Sequence, residues 1–278
     1  MPNLSSLSVD KLARLIGRHD TPDLIDVRDD EDFAADPRLL PGARRRPYET
    51  ATDWAGTYRG RSVVVACQRG GKLSEGAAAW LRHAGAAAEI LEGGHAAWVA
   101  AGLPLVPEAR LPTRDAEGRT VWVTRARPKI DRIACPWLIR RFVDPDAVFL
   151  FVAPGEVAAV GERFGAASFD IEGEAVFWSH RGELCTFDVM VEEFGLAALP
   201  ALARLARIVR GADTARLDLE PEAAGLLAAS LGLSRMYRDD LAQLDAGMLL
   251  YDAFYRWCRD ASDETHHWPA ARSRSVPA

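Results

Sequence analysis

The first hundred residues alternate short apolar runs with segments of helical periodicity. Apolar runs of strand length occupy residues 24–27, 62–66 and 89–91. Between and around them, Ser8 can cap a helix that runs through Leu12 and Ile16, and residues 74–83 and 96–101 form helical segments that end at glycines. Short apolar strands that alternate with helices predict an α/β domain, with a parallel sheet covered by helices on both faces.

A polar, proline-containing segment then interrupts the pattern. Residues 108–119 predict a linker between a first domain, residues 1–107, and a second domain, residues 120–261. We expect the linker to separate two hydrophobic cores. The polar segment at residues 262–278 predicts a disordered tail.

The second domain carries a different pattern. Short strand-like runs occur at residues 121–123, 149–152 and 175–178. Apolar residues recur at helical spacing in residues 199–209, 221–231 and 235–258. This order predicts a mixed α+β domain that is mainly helical.

Composition narrows the classes of protein. The chain is 49% hydrophobic and 27% charged, with a net charge of −6, which disfavours nucleic acid as a partner without excluding it. It has no apolar run long enough to span a membrane and no basic, apolar start typical of a secretory signal, so neither a membrane partner nor export is expected. Four scattered cysteines indicate reduced thiols, and we therefore expect a cytoplasmic protein.

A cysteine opens the loop that follows the second apolar run. Cys67 is followed by Gln68, Arg69, Gly70, Gly71 and Lys72, and a helical segment begins just after this six-residue loop. Loop N–H groups and the positive end of the helix dipole would favour a thiolate at Cys67, and the two basic residues would favour an oxyanionic substrate. Cys67 is the candidate nucleophile and residues 68–72 the candidate substrate-binding loop. A buried core cysteine is the alternative.

Motifs on either side of this loop resemble those of rhodanese-type sulfurtransferases. They are Leu24-Ile25-Asp26-Val27-Arg28 with Glu31 and Phe33, Leu40-Pro41-Gly42-Ala43, Glu92-Gly93-Gly94 with Trp98, and Gly102-Leu103-Pro104. Cysteine phosphatases share the strand–loop–helix arrangement, but their loop has one more residue between cysteine and arginine and ends on the arginine.

The resemblance implies that Cys67 carries sulfane sulfur as a persulfide from thiosulfate or a related donor to a thiol or cyanide-like acceptor, without a cofactor. It also implies that Asp26 and Arg28 are structural supports, and we expect Arg28 to pair with Glu31. Lys72 stands where many thiosulfate-using members have arginine. His95 is expected to be a helix-start or surface histidine rather than a catalytic base.

Residues 121 to about 260 resemble the C-terminal domain of the chromate-resistance (ChrB-type) family. The resemblance rests on residues 129–141, 180–188, 208–214 and 251–255. It implies a part in chromate resistance, with no established reaction.

Two features of this second domain suggest binding chemistry. His180 has carboxylates near it in sequence, and His180, Asp170 and Asp213 are the candidate ligands of a zinc, iron or manganese ion. Glu183, Cys185 and Asp188 also follow closely, although Asp188 could instead serve the start of a helix. A hydrogen-bonded structural histidine is the alternative for His180.

The second feature is a cluster of basic residues that could hold an oxyanion such as chromate or form a solvated face: Arg125, Arg127, Lys129, Arg132, Arg140 and Arg141. Cys135 could accept sulfur from Cys67, but a packed core thiol is favoured for Cys135, Cys185 and Cys258. We expect a sulfurtransferase coupled to a chromate-resistance domain. The alternative is a binding protein or regulator that senses an oxyanion or a metal and uses the first domain as a redox input.

Overall fold

A computed structural model of the chain describes residues 5–173 and 176–264. The expected disordered tail at 262–278 lies outside the described residues from 265 onward. Within the described ranges, no helix is long and apolar enough to cross a membrane.

A five-stranded parallel sheet organises the N-terminal region. The strands of this region are β1 (Ser6–Leu7), β2 (Asp23–Asp26), β3 (Arg38–Leu39), β4 (Ala43–Arg45), β5 (Ser62–Ala66), β6 (Ala87–Leu91) and β7 (Val106–Pro107). The helices are α1 (Val9–Leu15), α2 (Asp30–Ala35), α3 (Ala51–Trp54), α4 (Lys72–His83) and α5 (Gly94–Ala100), with 3-10 turns at Tyr48–Thr50 and Ala55–Tyr58. The sheet order is β1-β6-β5-β2-β4, and β3 pairs with β7 in a separate antiparallel ladder.

Alternating side chains cover both faces of this sheet. Ile25 and Val65 pack into one cluster with Leu81 of α4, whereas Leu24 and Val64 face the opposite cluster, which contains Leu12 of α1. Successive strand residues point to opposite faces, so a sheet buried on both sides needs a continuous apolar run. The predicted α/β domain with helices on both faces is therefore confirmed.

The C-terminal region is mainly helical around a small parallel sheet of order β10-β8-β9. Its strands are β8 (Val121–Arg125), β9 (Val148–Val152) and β10 (Ala167–Ser168). Its helices are α6 (Asp131–Phe142), α7 (Val157–Phe164), α8 (Thr186–Glu193), α9 (Pro200–Asp213), α10 (Ala223–Met236) and α11 (Asp240–Asp260), with 3-10 turns at Glu108–Arg110 and Pro154–Glu156. The mainly helical mixed architecture predicted for this region is confirmed.

Two predicted elements differ from the structure. The strand expected at 175–178 is reduced, in its described part, to one bridge between Trp178 and Phe169. The helix expected from residue 235 begins at Asp240, because the Asp239 carboxylate accepts a hydrogen bond from the backbone N–H of Ala242 and caps the helix there. Arg235 belongs to the last turn of α10.

The expected separation of two hydrophobic cores is wrong. One cluster contains Leu12 and Leu24 of the first region together with Trp137 and Phe142 of α6. At Gly17, where φ is +79°, a Cβ would lie 2.4 Å from the Phe142 ring. The two regions share a core because each leaves apolar surface uncovered, on the five-stranded sheet and on α6. Packing the regions together removes that surface from water. The segment 108–119 joins the regions in sequence without separating their cores.

Candidate functional sites

The Cys67 loop lies between β5 and α4, at the carboxyl end of a central strand. β5 ends at Ala66, and α4 begins at Lys72 with Gly71 as its N-cap. Cys67 is buried, its Sγ accepts a hydrogen bond from the Gly71 N–H at 3.3 Å, and the Ser74 hydroxyl lies 3.3 Å from the same sulfur. The loop thus directs donors toward the sulfur from the first turn of a helix.

Two opposing effects set the pKa of the Cys67 thiol. Burial raises it, but the Ser74 hydroxyl and the N–H groups of Ser74, Gly71 and Arg69 bring the pKa below that of an ordinary thiol. The Ser74 hydroxyl also lies 3.0 Å from the Gly71 carbonyl oxygen. Because a hydroxyl has one proton, Ser74 stabilises the thiolate only when it donates to the sulfur.

Glycines hold the Cys67 loop against the start of α5. Gly94 has a φ of +61°, and a Cβ there would lie 2.1 Å from the Cys67 carbonyl oxygen. That carbonyl accepts a hydrogen bond from the His95 N–H at 2.9 Å, and the Gln68 carbonyl accepts one from the Ala96 N–H at 3.0 Å. Only glycine permits this close backbone approach.

The predicted substrate-binding residues differ in their exposure to solvent. Arg69 and Lys72 are exposed, and neither side chain forms an ion pair with another described residue. Lys72 is the first residue of α4 rather than the last residue of the loop. Gln68 is half-buried, and its Oε1 has no hydrogen-bond partner in the described part of the chain. The two basic side chains are available to an anionic ligand.

Asp26 and Arg28 form a buried ion pair beside the loop. Arg28 Nη2 lies 2.6 Å from Asp26 Oδ2, and the guanidinium also donates to the carbonyls of Asp36 and Arg38. The expected partner of Arg28, Glu31, is instead exposed on α2. A buried guanidinium needs partners that fill its whole fork, which Asp26 and the two carbonyls supply. These contacts agree with the structural role expected for Asp26 and Arg28. The expected pairing of Arg28 with Glu31 is wrong, because Arg28 pairs with Asp26.

His95 lies in the first turn of α5 and is not a surface residue. Its side chain is buried, and its Nε2 lies 2.9 Å from Asp36 Oδ2. Contacts with Arg38 and then His95 bring the pKa of Asp36 down to about 2, against the effect of its partial burial. This pairing gives His95 a structural role at the helix start.

The C-terminal region brings the three predicted metal-ligand candidates together. His180 Nε2 lies 3.5 Å from Asp170 Oδ1 and 3.3 Å from Asp213 Oδ2. Asp170 follows β10, His180 lies in the segment before α8, and Asp213 is the last residue of α9. Three elements that are distant in sequence therefore meet at one imidazole.

A fourth residue, Asp131, completes the cluster, and sequence reasoning did not identify it as a ligand. Asp131 is the first residue of α6, is fully buried, and has its Oδ2 3.6 Å from His180 Nε2. Ligand atoms of Asp131, Asp170 and His180 all lie within 4.8 Å of one another. The sequence did contain a signal for Asp131: it lies in the 129–141 motif, as a carboxylate just before the apolar residues that α6 buries.

Contacts within the cluster shift the pKa values of His180, Asp131 and Asp170. Neighbouring Asp170 and then Asp213 raise the pKa of His180 to about 10. Burial, followed by the charges of Asp213 and Asp170, raises the pKa of Asp131 well above its usual value. Burial also acts on Asp170, but His180, Arg132 and Thr186 bring its pKa below the usual value. The cluster concentrates negative charge around a partly exposed imidazole.

The other candidates near His180 have structural positions. Asp188 caps α8 by accepting a hydrogen bond from the Cys185 N–H at 3.1 Å, as the alternative for this residue predicted. Glu183 is exposed and pairs with Arg216. Burial raises the pKa of the Cys185 thiol, and that of Cys135, well above the usual value. Burial likewise raises the pKa of Cys258, to about 11.

The basic residues predicted as one cluster are distributed over several contacts. Arg125 and Arg132 approach Asp170, whereas Arg140 pairs with Asp245 and Arg141 with Asp252. The guanidinium of Arg127 donates to backbone carbonyls of α10 and the turn after it. Lys129 is exposed and lines a separate cavity with Arg127 and Arg235, so the six residues do not form one continuous patch.

A separate cavity of about 500 Å³ lies between the two regions. Its lining contains five arginines and four carboxylates: Arg28, Arg44, Arg45, Arg46, Arg114, Asp29, Asp30, Glu49 and Glu108. Arg44 already pairs with Asp144 and Asp146, and Arg45 with Asp30. The lining charges nearly balance, so the cavity does not by itself select an anion.

These features define a protein of two domains, each of a known class. The model of the rhodanese-like domain family matches residues 8–101, and the model described as ChrB, C-terminal domain, matches residues 122–258. Residues 8–101 are therefore a rhodanese-like domain and residues 122–258 a ChrB C-terminal domain. The resemblances drawn from the sequence are confirmed.

A curated relative supports the second assignment. Protein ChrB of Cupriavidus metallidurans is 34% identical to this chain over 148 residues. The matched segment covers 52% of this chain and 43% of that protein, so the comparison spans less than half of the relative.

Several solved structures are similar to about a third of the chain. A rhodanese-like domain protein from Staphylococcus aureus is 26% identical, covering 34% of this chain and 91% of that chain at a TM-score of 0.31. A rhodanese-related protein from Thermoplasma volcanium is 23% identical, and the match covers 37% of this chain and 98% of that chain at a TM-score of 0.33. A thiosulfate sulfurtransferase from Pseudomonas aeruginosa is 24% identical, and the match covers 38% of this chain and 20% of that chain at a TM-score of 0.32. With TM-scores this low, the domain assignment depends on the family models.

Proposed function

We propose that the rhodanese-like domain is a sulfurtransferase that carries sulfane sulfur on Cys67. The observation that carries the proposal is the contact of the Cys67 sulfur with the Gly71 N–H and the Ser74 hydroxyl at the start of α4. These donors favour a sulfur anion, and a thiolate is the form that attacks sulfane sulfur.

The reaction with thiosulfate balances in two steps. The Cys67 thiolate attacks the outer sulfur of thiosulfate, the S–S bond breaks, and sulfite leaves with the bonding electron pair. The Cys67 persulfide then loses its terminal sulfur to a nucleophile: cyanide becomes thiocyanate, or an acceptor thiolate becomes a persulfide, and the Cys67 thiolate returns. No external oxidant or reductant is required.

The surroundings of Cys67 suit an anionic donor. Arg69 and Lys72 are exposed near the loop and have no ion-pair partner among the described residues, so they could bind the sulfonate oxygens of thiosulfate. The N–H groups that favour the thiolate would also stabilise the persulfide anion. The proposed reaction suits the cytoplasmic location expected from the sequence, because reduced thiols in the cytoplasm can accept the sulfur from Cys67.

The test is sulfur loading and turnover with Cys67→Ser. Wild-type protein treated with thiosulfate should gain the mass of one sulfur and form thiocyanate when cyanide is added. Cys67→Ser should do neither, because a hydroxyl does not carry sulfane sulfur under these conditions. Cys258→Ser is the matched control, since Cys258 is another buried cysteine far along the chain and its pKa is raised to about 11.

The second candidate is a binding protein that senses an oxyanion or a metal and uses the Cys67 domain as a redox input. The clustered carboxylates around His180 favour this reading for the C-terminal domain. Turnover separates the two functions. A wild-type protein that neither loads sulfur nor forms thiocyanate would contradict the sulfurtransferase proposal.

A further inference from the structure

Three carboxylates surround a single imidazole nitrogen in the ChrB C-terminal domain. His180 Nε2 lies 3.3, 3.5 and 3.6 Å from oxygens of Asp213, Asp170 and Asp131. This nitrogen carries at most one proton, so it cannot give each of the three oxygens a well-aligned hydrogen bond of its own. All three separations also exceed the usual N–H···O range of about 2.7–3.2 Å. Hydrogen bonding alone does not account for the arrangement.

The same distances fit a shared metal ion. Zinc, for example, binds histidine nitrogen and carboxylate oxygen at about 2.0–2.1 Å, and two tetrahedral ligands at that bond length lie about 3.3–3.4 Å apart. His180 therefore has roughly ligand–ligand spacing from each carboxylate. We propose that Asp131, Asp170, Asp213 and His180 bind one divalent first-row transition-metal ion.

An unpartnered oxygen on Asp131 is an independent observation in favour of an ion. The Asp131 side chain is 0% exposed to solvent, its ion-pair contact is with His180, and its Oδ1 has no hydrogen-bond partner among the described residues. Its other oxygen accepts a hydrogen bond from the Phe187 N–H at 3.3 Å. A buried carboxylate beside two others is strongly disfavoured without a compensating cation.

The arginines near the cluster do not supply this cation. Arg132 Nε lies 3.2 Å and Arg125 Nη2 3.6 Å from Asp170 Oδ2, so both approach the same carboxylate. Among the described residues, Asp131 and Asp213 form their ion-pair contacts with His180 alone. A divalent ion at this point would neutralise the carboxylates that the arginines leave unpaired.

Neighbouring groups fix the candidate ligands in place. The Thr186 hydroxyl donates to Asp170 Oδ1 at 3.0 Å, and the Phe187 N–H holds Asp131 from the same turn of α8. Such outer contacts orient metal ligands and raise affinity. The His180 side chain is 41% exposed, which gives an ion a route from solvent.

The donor set indicates the class of ion. Carboxylate oxygens with one imidazole suit zinc, manganese(II) or iron(II) better than soft ions such as copper(I). Among the described residues, the ligand atoms that lie within 4.8 Å of one another include no cysteine sulfur, so the donor set is carboxylate and imidazole. Zinc and manganese(II) are the practical probes, and magnesium tests whether any divalent ion suffices.

The test uses the full chain, stripped with a chelator and titrated separately with Zn²⁺, Mn²⁺ and Mg²⁺. Wild-type protein should bind about one Zn²⁺ or Mn²⁺ ion and melt at a higher temperature with it. Asp131→Asn should lose at least tenfold in affinity and lose the thermal response to metal. Asp188→Asn is the matched control, because Asp188 is also a buried carboxylate near α8, and its helix-capping acceptor is retained in asparagine.

Stability without metal distinguishes a ligand from a structural partner. Asp131→Asn removes a like charge, so the stripped variant should melt at or above the temperature of the stripped wild type. If it does not fold, His180→Gln at the partly exposed position provides the same comparison. Failure of wild type to bind Zn²⁺ or Mn²⁺, or equal binding by wild type, Asp131→Asn and His180→Gln, would overturn the proposal. These readouts do not involve Cys67 turnover and are independent of the proposed sulfurtransferase activity.

Discussion

Substitution of Gly94 by alanine tests whether the glycine turn before α5 builds the Cys67 site. An ideal Cβ at Gly94 would lie 2.1 Å from the Cys67 carbonyl oxygen, 2.6 Å from the Gly70 nitrogen and 3.0 Å from the Arg69 nitrogen. All three are backbone atoms of the loop, so no side chain can rotate to relieve the contact. Either the loop moves away from α5 or the turn changes conformation.

The expected loss of stability follows from these contacts. A non-glycine residue in the left-handed region, here at a φ of +61°, costs roughly 1–2 kcal/mol. Movement of the loop would also break the hydrogen bonds from the His95 and Ala96 N–H groups to the carbonyls of Cys67 and Gln68. At about 0.5–1.5 kcal/mol each, the combined loss is about 2–5 kcal/mol. For a chain of this length that corresponds to a melting temperature lower by roughly 4–10 °C.

Thermal melting and sulfur loading from thiosulfate together provide the assay. We expect Gly94→Ala to load sulfur on Cys67 at least about tenfold more slowly, because displaced loop N–H groups no longer stabilise the sulfur anion. Gly76→Ala is the matched control: it lies within α4, and a Cβ there meets no atom within 4 Å. Alanine in a helix interior should leave loading intact and add about 0.5–1 kcal/mol of stability. A Gly94→Ala variant with wild-type melting and wild-type loading would show that Gly94 does not build the Cys67 site.

Three further predictions concern the same domain. The pH midpoint for alkylation of Cys67 should lie below that of an ordinary thiol, and the Ser74→Ala variant should have a higher midpoint, because the hydroxyl contact lowers the pKa of the thiol. An unchanged midpoint in Ser74→Ala would mean that the hydroxyl donates to another acceptor. Asp26→Asn should lower the free energy of unfolding in urea by about 3–5 kcal/mol, since it leaves the buried Arg28 without its carboxylate partner. A decrease below about 1 kcal/mol would contradict this prediction. Lys72→Ala should lower kcat/KM for thiosulfate while changing stability by less than about 0.5 kcal/mol, and an unchanged kcat/KM would remove Lys72 from donor binding.

Local signals in the sequence were sufficient for the first domain and its loop. The apolar run 62–66 is β5 to the residue, and Ser8 caps α1 through its side chain. Both depend on residues within a few positions of each other, where backbone preference and capping act directly. The order of the strand, Cys67 and the following helix likewise depends on adjacent residues, which is why the loop could be located without a structure.

Residue patterns alone were enough to assign the two domain classes, to locate Cys67 and to nominate His180, Asp170 and Asp213. Three further points became visible in the folded chain: Asp131 joins these candidates, Arg28 pairs with Asp26, and the two regions share a core. Asp131 reaches His180 because α6 packs against α8 and α9. Such a contact depends on how distant apolar faces are buried together, which local preferences do not specify.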